Sequence, residues 1–334
     1  MQATPTLMRA LRVDEANGAF NPVDLPVPTP GPGEVLVRVH ASGVNPLDTK
    51  IRAGQAGHAR QPLPAVLGID MAGVIAAVGT GVTGWQVGDA VYAMAGGIGG
   101  LQGSLADYMA VDARLLAAKP ARLPMREAAA LPLAAITAWE GLVDRAAVRP
   151  GQTVLVQGGA GGVGHIAVQL AQALGARVFA TAGVADFDAI RAWGATPIDR
   201  HQPLDAAVAA HTAGQGFDVV FDAVGGAVLD ASFTAARRHG GHVVSILGWG
   251  THSLAPLSFR AATYSGVFTL LPLLTGEGRE RHGHILRETA ALVNAGAITP
   301  RLDAGRFTLA TAGDAHARVA AGAARGKVVV DVAA

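Results

Sequence analysis

The chain has 334 residues, half of them hydrophobic and 15% charged, with a formal net charge of +1 and no cysteine. That length accommodates two domains and a large buried core. The charge balance offers no basic stripe for nucleic acid, and the missing thiols exclude disulfides, thiolate zinc sites and a cysteine nucleophile together. Residues 1–12 lack the apolar core of a signal peptide. The longest apolar run, 267–274, is broken by Pro272 and falls short of the ~18 residues of a membrane span. The expectation is a soluble, cytoplasmic protein with no membrane partner.

Residues 1–120 read as β-rich. Pro22, Pro26, Pro28, Pro30 and Pro32 predict an extended entry. Residues 34–40 (Glu-Val-Leu-Val-Arg-Val-His) alternate apolar and polar as a half-buried strand does, and further strands are expected through 72–79 and 89–94. After Pro120 the texture changes: 126–131 and 137–148 carry helical spacing, and Arg149, Pro150 and Gly151 make a turn. Strands are then expected near 153–158, 177–181, 217–222 and 242–247, with helices near 162–174, 185–193, 203–211 and 227–239. Such alternation predicts a doubly wound parallel sheet. From residue 260 the pattern returns to mixed helix and strand, closing on a strand at 326–330. The expected organisation is α/β, with a β-rich domain of residues 1–121 and 260–334 interrupted by a dinucleotide-binding domain of residues 122–259.

That second domain opens on the most informative stretch. An apolar β-branched run ends in Gln157 and is followed by Gly158, Gly159, Ala160, Gly161, Gly162, Val163 and Gly164, after which apolar residues recur at helical spacing. The pattern Gly159-x-Gly161-x-x-Gly164 stands between strand and helix, and the next strand at 177–181 completes a unit of about the 30 residues expected of a βαβ. Gly159 allows the turn, Gly161 lets the backbone approach a pyrophosphate, and Gly164 lets the helix pack closely, with free N–H groups facing the phosphates. A dinucleotide is the implied cofactor. No acid ends the second strand at Thr181, Ala182 and Gly183, which favours NADPH, with NADH still possible.

Several segments occur together in a familiar order: 43–48 (Gly-Val-Asn-Pro-Leu-Asp), 67–74 (Leu-Gly-Ile-Asp-Met-Ala-Gly-Val), 87–91, 103–108, 131–142, the glycine fingerprint and 325–329 (Arg-Gly-Lys-Val-Val). Together they resemble the medium-chain dehydrogenase/reductase superfamily, within it the zinc-free, zeta-crystallin-like quinone oxidoreductases. The resemblance covers nearly the whole chain. It implies a GroES-like β-rich catalytic domain plus a doubly wound, parallel-sheet Rossmann domain, with the active site in the cleft between them. The zinc-dependent branch has a cysteine where this chain has Asn45, a relay hydroxyl where it has Leu47, and Gly-His-Glu where it has Gly68, Ile69 and Asp70. Three protein ligands for a catalytic zinc are therefore missing, and no metal is expected. His282 and His284 have no third ligand nearby in sequence.

The implied reaction is hydride transfer from NADPH to a small quinone or α,β-unsaturated carbonyl. The alternatives are a cofactor-binding protein with little turnover, and a zinc-type alcohol dehydrogenase that lacks its ligands. Asn45 is the candidate hydrogen-bond donor to the acceptor oxygen, being a neutral amide. Asp48 is either catalytic or a cap. No dedicated acid stands out as proton donor. By resemblance Thr137, Gln157, Thr181, Asp222, Gly225, Leu247, Gly248 and Lys327 lie along the cofactor, with Thr137 reading equally as a helix residue, Asp222 as a turn former and Gly225 and Gly248 as backbone requirements. Arg200, where the family often has a tyrosine, grips a 2′-phosphate or is a solvated surface residue. Met94, Ile98, Tyr108 and Trp249 shape an apolar pocket or are core. The stretch 264–270 resembles the strand that extends the family's sheet across a homodimer axis, or is an internal strand.

Overall fold

A computed structural model describes residues 4–333. The polypeptide begins with β1 (Leu7–Val13) and β2 (Asn21–Pro26), then the long β3 (Glu34–Val44), α1 (Pro46–Arg52), β4 (Ala65–Val66), β5 (Asp70–Val78), β6 (Ala90–Met94), β7 (Tyr108–Asp112), β8 (Ala117–Ala118) and α2 (Met125–Ala129). The expected extended entry is in part β2, whose Pro22 and Pro26 pair antiparallel with β1. β2 is an edge strand of the small sheet β2-β1-β4, where a residue without an N–H is tolerated. β3 is the axis of a second sheet. It pairs antiparallel with β5 and β7, and Val35, Val37, Val39 and Ala41 alternate inward to a buried face.

The middle of the chain runs through α3 (Pro132–Trp139), β9 (Thr153–Gln157), α4 (Gly164–Ala173), β10 (Arg177–Ala182), α5 (Phe187–Ala192), β11 (Thr196–Asp199), α6 (Leu204–Thr212), β12 (Val219–Asp222), α7 (Ala227–Ala235), β13 (His242–Ser245), α8 (Ala255–Ser258) and β14 (Thr263–Gly266). All five pairings in its sheet are parallel, in the order β11-β10-β9-β12-β13-β14. Strand order reverses between β9 and β12, which makes the carboxyl ends of these strands a topological switch point. Leu155, Phe179, Phe217, Val220, Leu229 and Phe233 form a buried core cluster here.

The chain then adds α9 (Leu271–Thr275), α10 (Arg279–Asn294), β15 (Phe307–Thr308), α11 (Ala312–Ala320) and β16 (Val328–Asp331). β16 pairs antiparallel with β3. The Tyr92 hydroxyl donates to the Leu286 carbonyl of α10 at 2.5 Å.

Two compact units result: residues up to Leu133 with Leu270–Ala295 and Pro300 onward, and Ala134–Thr269 with Gly296–Thr299. The expected boundaries at 121/122 and 259/260 therefore fall about ten residues early. α2 packs on β3 and β5 and stays with the first unit, whereas β14 pairs with β13 and stays with the second. Among the described residues no helix is long and apolar enough to cross a membrane. Phe217 is fully buried with its ring 5.4 Å from that of Phe179. Phe217→Ala is expected to cost about 3–5 kcal/mol in chemical denaturation, from lost transfer energy and the cavity left behind.

Candidate active site

In the second unit the fingerprint lies at the carboxyl end of β9. Gly158 adopts φ +74, in the left-handed region. A side chain at Gly159 would put its Cβ 2.6 Å from that of Ala180, and one at Gly164 would run into the Gly158 carbonyl oxygen. These two glycines let strand, turn and helix pack together. Gly161 and Gly162 are exposed, while Ala160 and Val163 are half-buried. The turn thus presents bare backbone to solvent where a pyrophosphate would lie.

Gln157 and Thr181 brace that turn. The Thr181 hydroxyl donates to Gln157 Oε1 at 2.8 Å and accepts from the Gly158 N–H at 3.0 Å, and the Gly159 N–H donates to the Thr181 carbonyl at 2.9 Å. Asp222 plays the corresponding part between β12 and β13. Its carboxylate accepts from the N–H groups of Val224 and Gly225, each at 3.1 Å, and from the Ser245 hydroxyl at 2.7 Å. Ser245 Oγ in turn accepts from the Leu247 N–H at 3.1 Å. Gly225, at φ +79, would place a Cβ 2.6 Å from the Leu247 carbonyl oxygen, and one at Gly248 would strike the Tyr264 hydroxyl. Thr137 is buried on α3.

Arg200 follows β11 and is exposed, its backbone N–H donating to the Ala182 carbonyl at 2.9 Å. The guanidinium carbon would be 3.9 Å from a Cβ at Gly183, so the cation sits at the end of β10, where an NAD-type acid would stand. Arg200 Nε lies 3.3 Å from His201 Nε2.

The first unit holds a cluster of buried polar side chains. β3 ends at Val44, and Asn45 caps α1 in extended conformation with Pro46 in the first helical turn. Asp48 completes a capping box, its Oδ2 accepting from the Asn45 N–H at 2.8 Å. The Asn45 amide NH₂ donates to Asp70 Oδ2 at 2.9 Å, and its Oδ1 accepts from the Lys327 ammonium. Since lysine only donates and a carboxylate accepts, these partners set which way the amide points. Asp70 Oδ1 accepts from the Leu133 N–H at 2.9 Å, and Lys327 Nζ is 3.9 Å from Asp70 Oδ2. All four side chains are at most 4% exposed. Burial pushes Asp70 up to about 6 and Asp48 up to about 7, and lowers Lys327.

Sequence reasoning placed Lys327 along the cofactor; in the structure its ammonium donates to Asn45 Oδ1. It left Asp70 without a role, although a lone carboxylate in the apolar stretch 67–78 is the signal that could have found it. Met94 and Ile98 are 0% exposed and belong to the core rather than to a pocket wall. Tyr108 stands opposite Arg38 on β7 and lines, with Arg38 and His40, a separate cavity of about 820 Å³. Trp249 is 54% exposed, edge-on to Phe268. The side chains do not fit a zinc ion: among the described residues no three of His, Asp and Glu converge, His282 and His284 included.

Two family models match, an alcohol dehydrogenase GroES-like domain over residues 31–121 and a zinc-binding dehydrogenase over 193–330. The chain is 34% identical to an NADPH-dependent alkenal/one oxidoreductase of Arabidopsis thaliana, over 89% of this chain and 72% of the relative. It is 30% identical to the quinone oxidoreductase of Homo sapiens, over 97% of this chain and 98% of the relative. Among solved structures it is similar to an alcohol dehydrogenase superfamily protein from Novosphingobium aromaticivorans, at 58% identity and a TM-score of 0.96, covering 98% of this chain and all of that one.

Lys327→Met removes the cation and leaves Asp70 buried without it. The variant is expected to lose about 3 kcal/mol in urea unfolding at pH 8. The loss shrinks at pH 5, because Asp70, freed of the ammonium that lowers its pKa, takes up a proton. Asp70's folded pKa already lies above its ordinary value, so its contribution to stability declines as pH climbs from about 4 to about 6.

Proposed function

Because the chain belongs to the medium-chain dehydrogenase/reductase superfamily, among its quinone and alkenal oxidoreductases, we propose that it is an NADPH-dependent, zinc-independent reductase of quinones or α,β-unsaturated carbonyls. The observation that carries the reading is the bare glycine turn at the switch point of the second unit; within the first unit, the neutral and oriented Asn45 amide supports it. Gly159, Ala160, Gly161, Gly162, Val163 and Gly164 would hold the pyrophosphate, and Arg200 the 2′-phosphate. When bound, the cofactor supplies a hydride.

The chain's own work is to hold the acceptor and stabilise the charge that gathers on its oxygen. The amide N–H of Asn45 suits that task because it donates without titrating and costs no reorganisation once Asp70 and Lys327 have oriented it. An electron-poor quinone or enone needs no stronger electrophile, whereas an alkoxide intermediate would need a Lewis acid whose ligands do not come together among the described residues.

We further infer a homodimer. β14 ends the six-stranded sheet, and among the described residues nothing pairs with its outer edge. Sedimentation velocity is expected to give a two-chain particle, and a monomer would refute the assignment.

Oxidation of NADPH and NADH is to be followed with 1,4-benzoquinone, 9,10-phenanthrenequinone, an alkenal and a cyclic enone, with and without chelator. The expected result is chelator-insensitive turnover of a quinone or an enone, faster with NADPH. Silence across the panel, or activity lost on chelation, contradicts the reading. In Arg200→Ala the KM for NADPH should rise about tenfold, as for a lost charge-assisted contact, while that for NADH stays unchanged.

A further inference from the structure

One group in the buried cluster has no partner for part of its hydrogen-bonding capacity. Asp48 is 1% exposed and spends Oδ2 on the Asn45 N–H, but its Oδ1 is buried with no hydrogen-bond partner. A buried carboxylate oxygen without a donor is costly, and the cost is avoided by adding a proton. The resulting O–H stands on the oxygen that has no hydrogen-bond partner. Three positions earlier, the Asn45 amide donates to Asp70 Oδ2 at 2.9 Å, and its side chain also faces Asp48. A protonated Asp48 and the Asn45 amide thus stand side by side as donors at the start of α1.

We propose that Asp48 supplies the proton taken up by the reduced acceptor, while the Asn45 amide binds the same oxygen. This rests on the reductase reading above. As the acceptor gains a hydride at carbon, or at the quinone ring system, the electron pair it displaces gathers on the carbonyl oxygen. The Asp48 O–H bond then breaks with its electrons left on Oδ1, and a new O–H bond forms on the acceptor, giving hydroquinone or an enol that tautomerises to the saturated ketone. Solvent reprotonates Asp48 after product leaves. The facing groups set its proton affinity: burial raises it to about 7 and nearby Asp70 adds to the rise, while the Asn45 N–H, Lys327 and the Asn45 side chain oppose it. A proton held near neutrality is one that can be given away at working pH.

Asp48→Asn tests this. The asparagine oxygen can still accept from the Asn45 N–H, so the helix cap is retained, but its NH₂ cannot be transferred as a proton. In the free wild-type protein, carboxylic-acid carbonyl absorption in the infrared should fade in two steps as pH rises, that of Asp70 through about 6 and that of Asp48 through about 7, and Asp48→Asn should lack the second. With a quinone or enone as acceptor, Asp48→Asn should lower kcat by about 100-fold with KM little changed, and abolish the alkaline fall in rate and the solvent isotope effect. Asp48→Glu, which keeps the acid, should retain the alkaline limb at reduced kcat, and it decides the matter if the asparagine variant does not fold. A step through about 7 that persists in Asp48→Asn, or a kcat equal to wild type, overturns the proposal and leaves the reductase reading standing. A wild-type protein silent on every acceptor overturns both.

Discussion

Lys327 is an ammonium taken almost wholly out of water, at 4% exposure, and it stays there because Asn45 Oδ1 and Asp70 face it. Burying a charge is expensive unless it is paired and hydrogen-bonded, so these three side chains must arrive together or not at all. They come from the start of α1, the start of β5 and the residue before β16, the last of these separated from the other two by most of the chain. Strand register brings them together. Val44 pairs with Val328, and Gly43 pairs with Asp70, so β3 has one partner on each side of the point where Asn45 leaves it. The close packing that this needs is visible at Gly43, whose Cβ, had it one, would collide with the Ala129 carbonyl. The amide that emerges has its orientation decided before any ligand binds, which is the preorganisation electrostatic catalysis requires.

The second unit meets a similar demand with neutral and singly charged groups. Its parallel strands are buried on both faces, so the chain can turn only at their ends, where loop N–H groups lose their ladder partners. Asp222 and Ser245 satisfy those groups between β12 and β13, and Thr181 with Gln157 does so between β9 and β10. Residues that a family comparison places along a cofactor are here also the ones that hold the loops in shape. A substitution at Asp222 or Thr181 would therefore perturb the turn as well as any contact with a dinucleotide. Gly161 and Gly162 present exposed backbone and Arg200 an exposed cation, although the N–H groups of Gly161 and Arg200 also donate to the Gly158 and Ala182 carbonyls.

Much of the fold was legible because local rules and tertiary needs agree here. Apolar β-branched runs, glycines at fixed spacing and alternating helical patterns identified the doubly wound sheet, and β9, β10, β12 and β13 stand within two residues of their expected bounds. Where periodicity is weak the sequence was less informative. β2 carries two prolines and reads as an extended linker, β7 and β8 are short, and α7 stops at Ala235 although its helical pattern continues. The unit boundaries were misjudged for the same reason, since α2 and β14 look like members of either unit until their packing partners are known.

What the amino-acid sequence determined by itself was the chemistry on offer: a dinucleotide turn, no thiol, no acid at the end of β10, and a neutral amide ahead of Pro46. Those properties belong to residue types and short spacings, which need no knowledge of what lies across the fold. The tertiary structure decided how the charges pair. Asn45 and Lys327 are 282 positions apart, and nothing local to either one names the other. Only the antiparallel registry of β16, β3 and β5 places an ammonium on one end of the amide and a carboxylate on the other. The same packing withdraws Asp48 from water and leaves one of its oxygens without a partner.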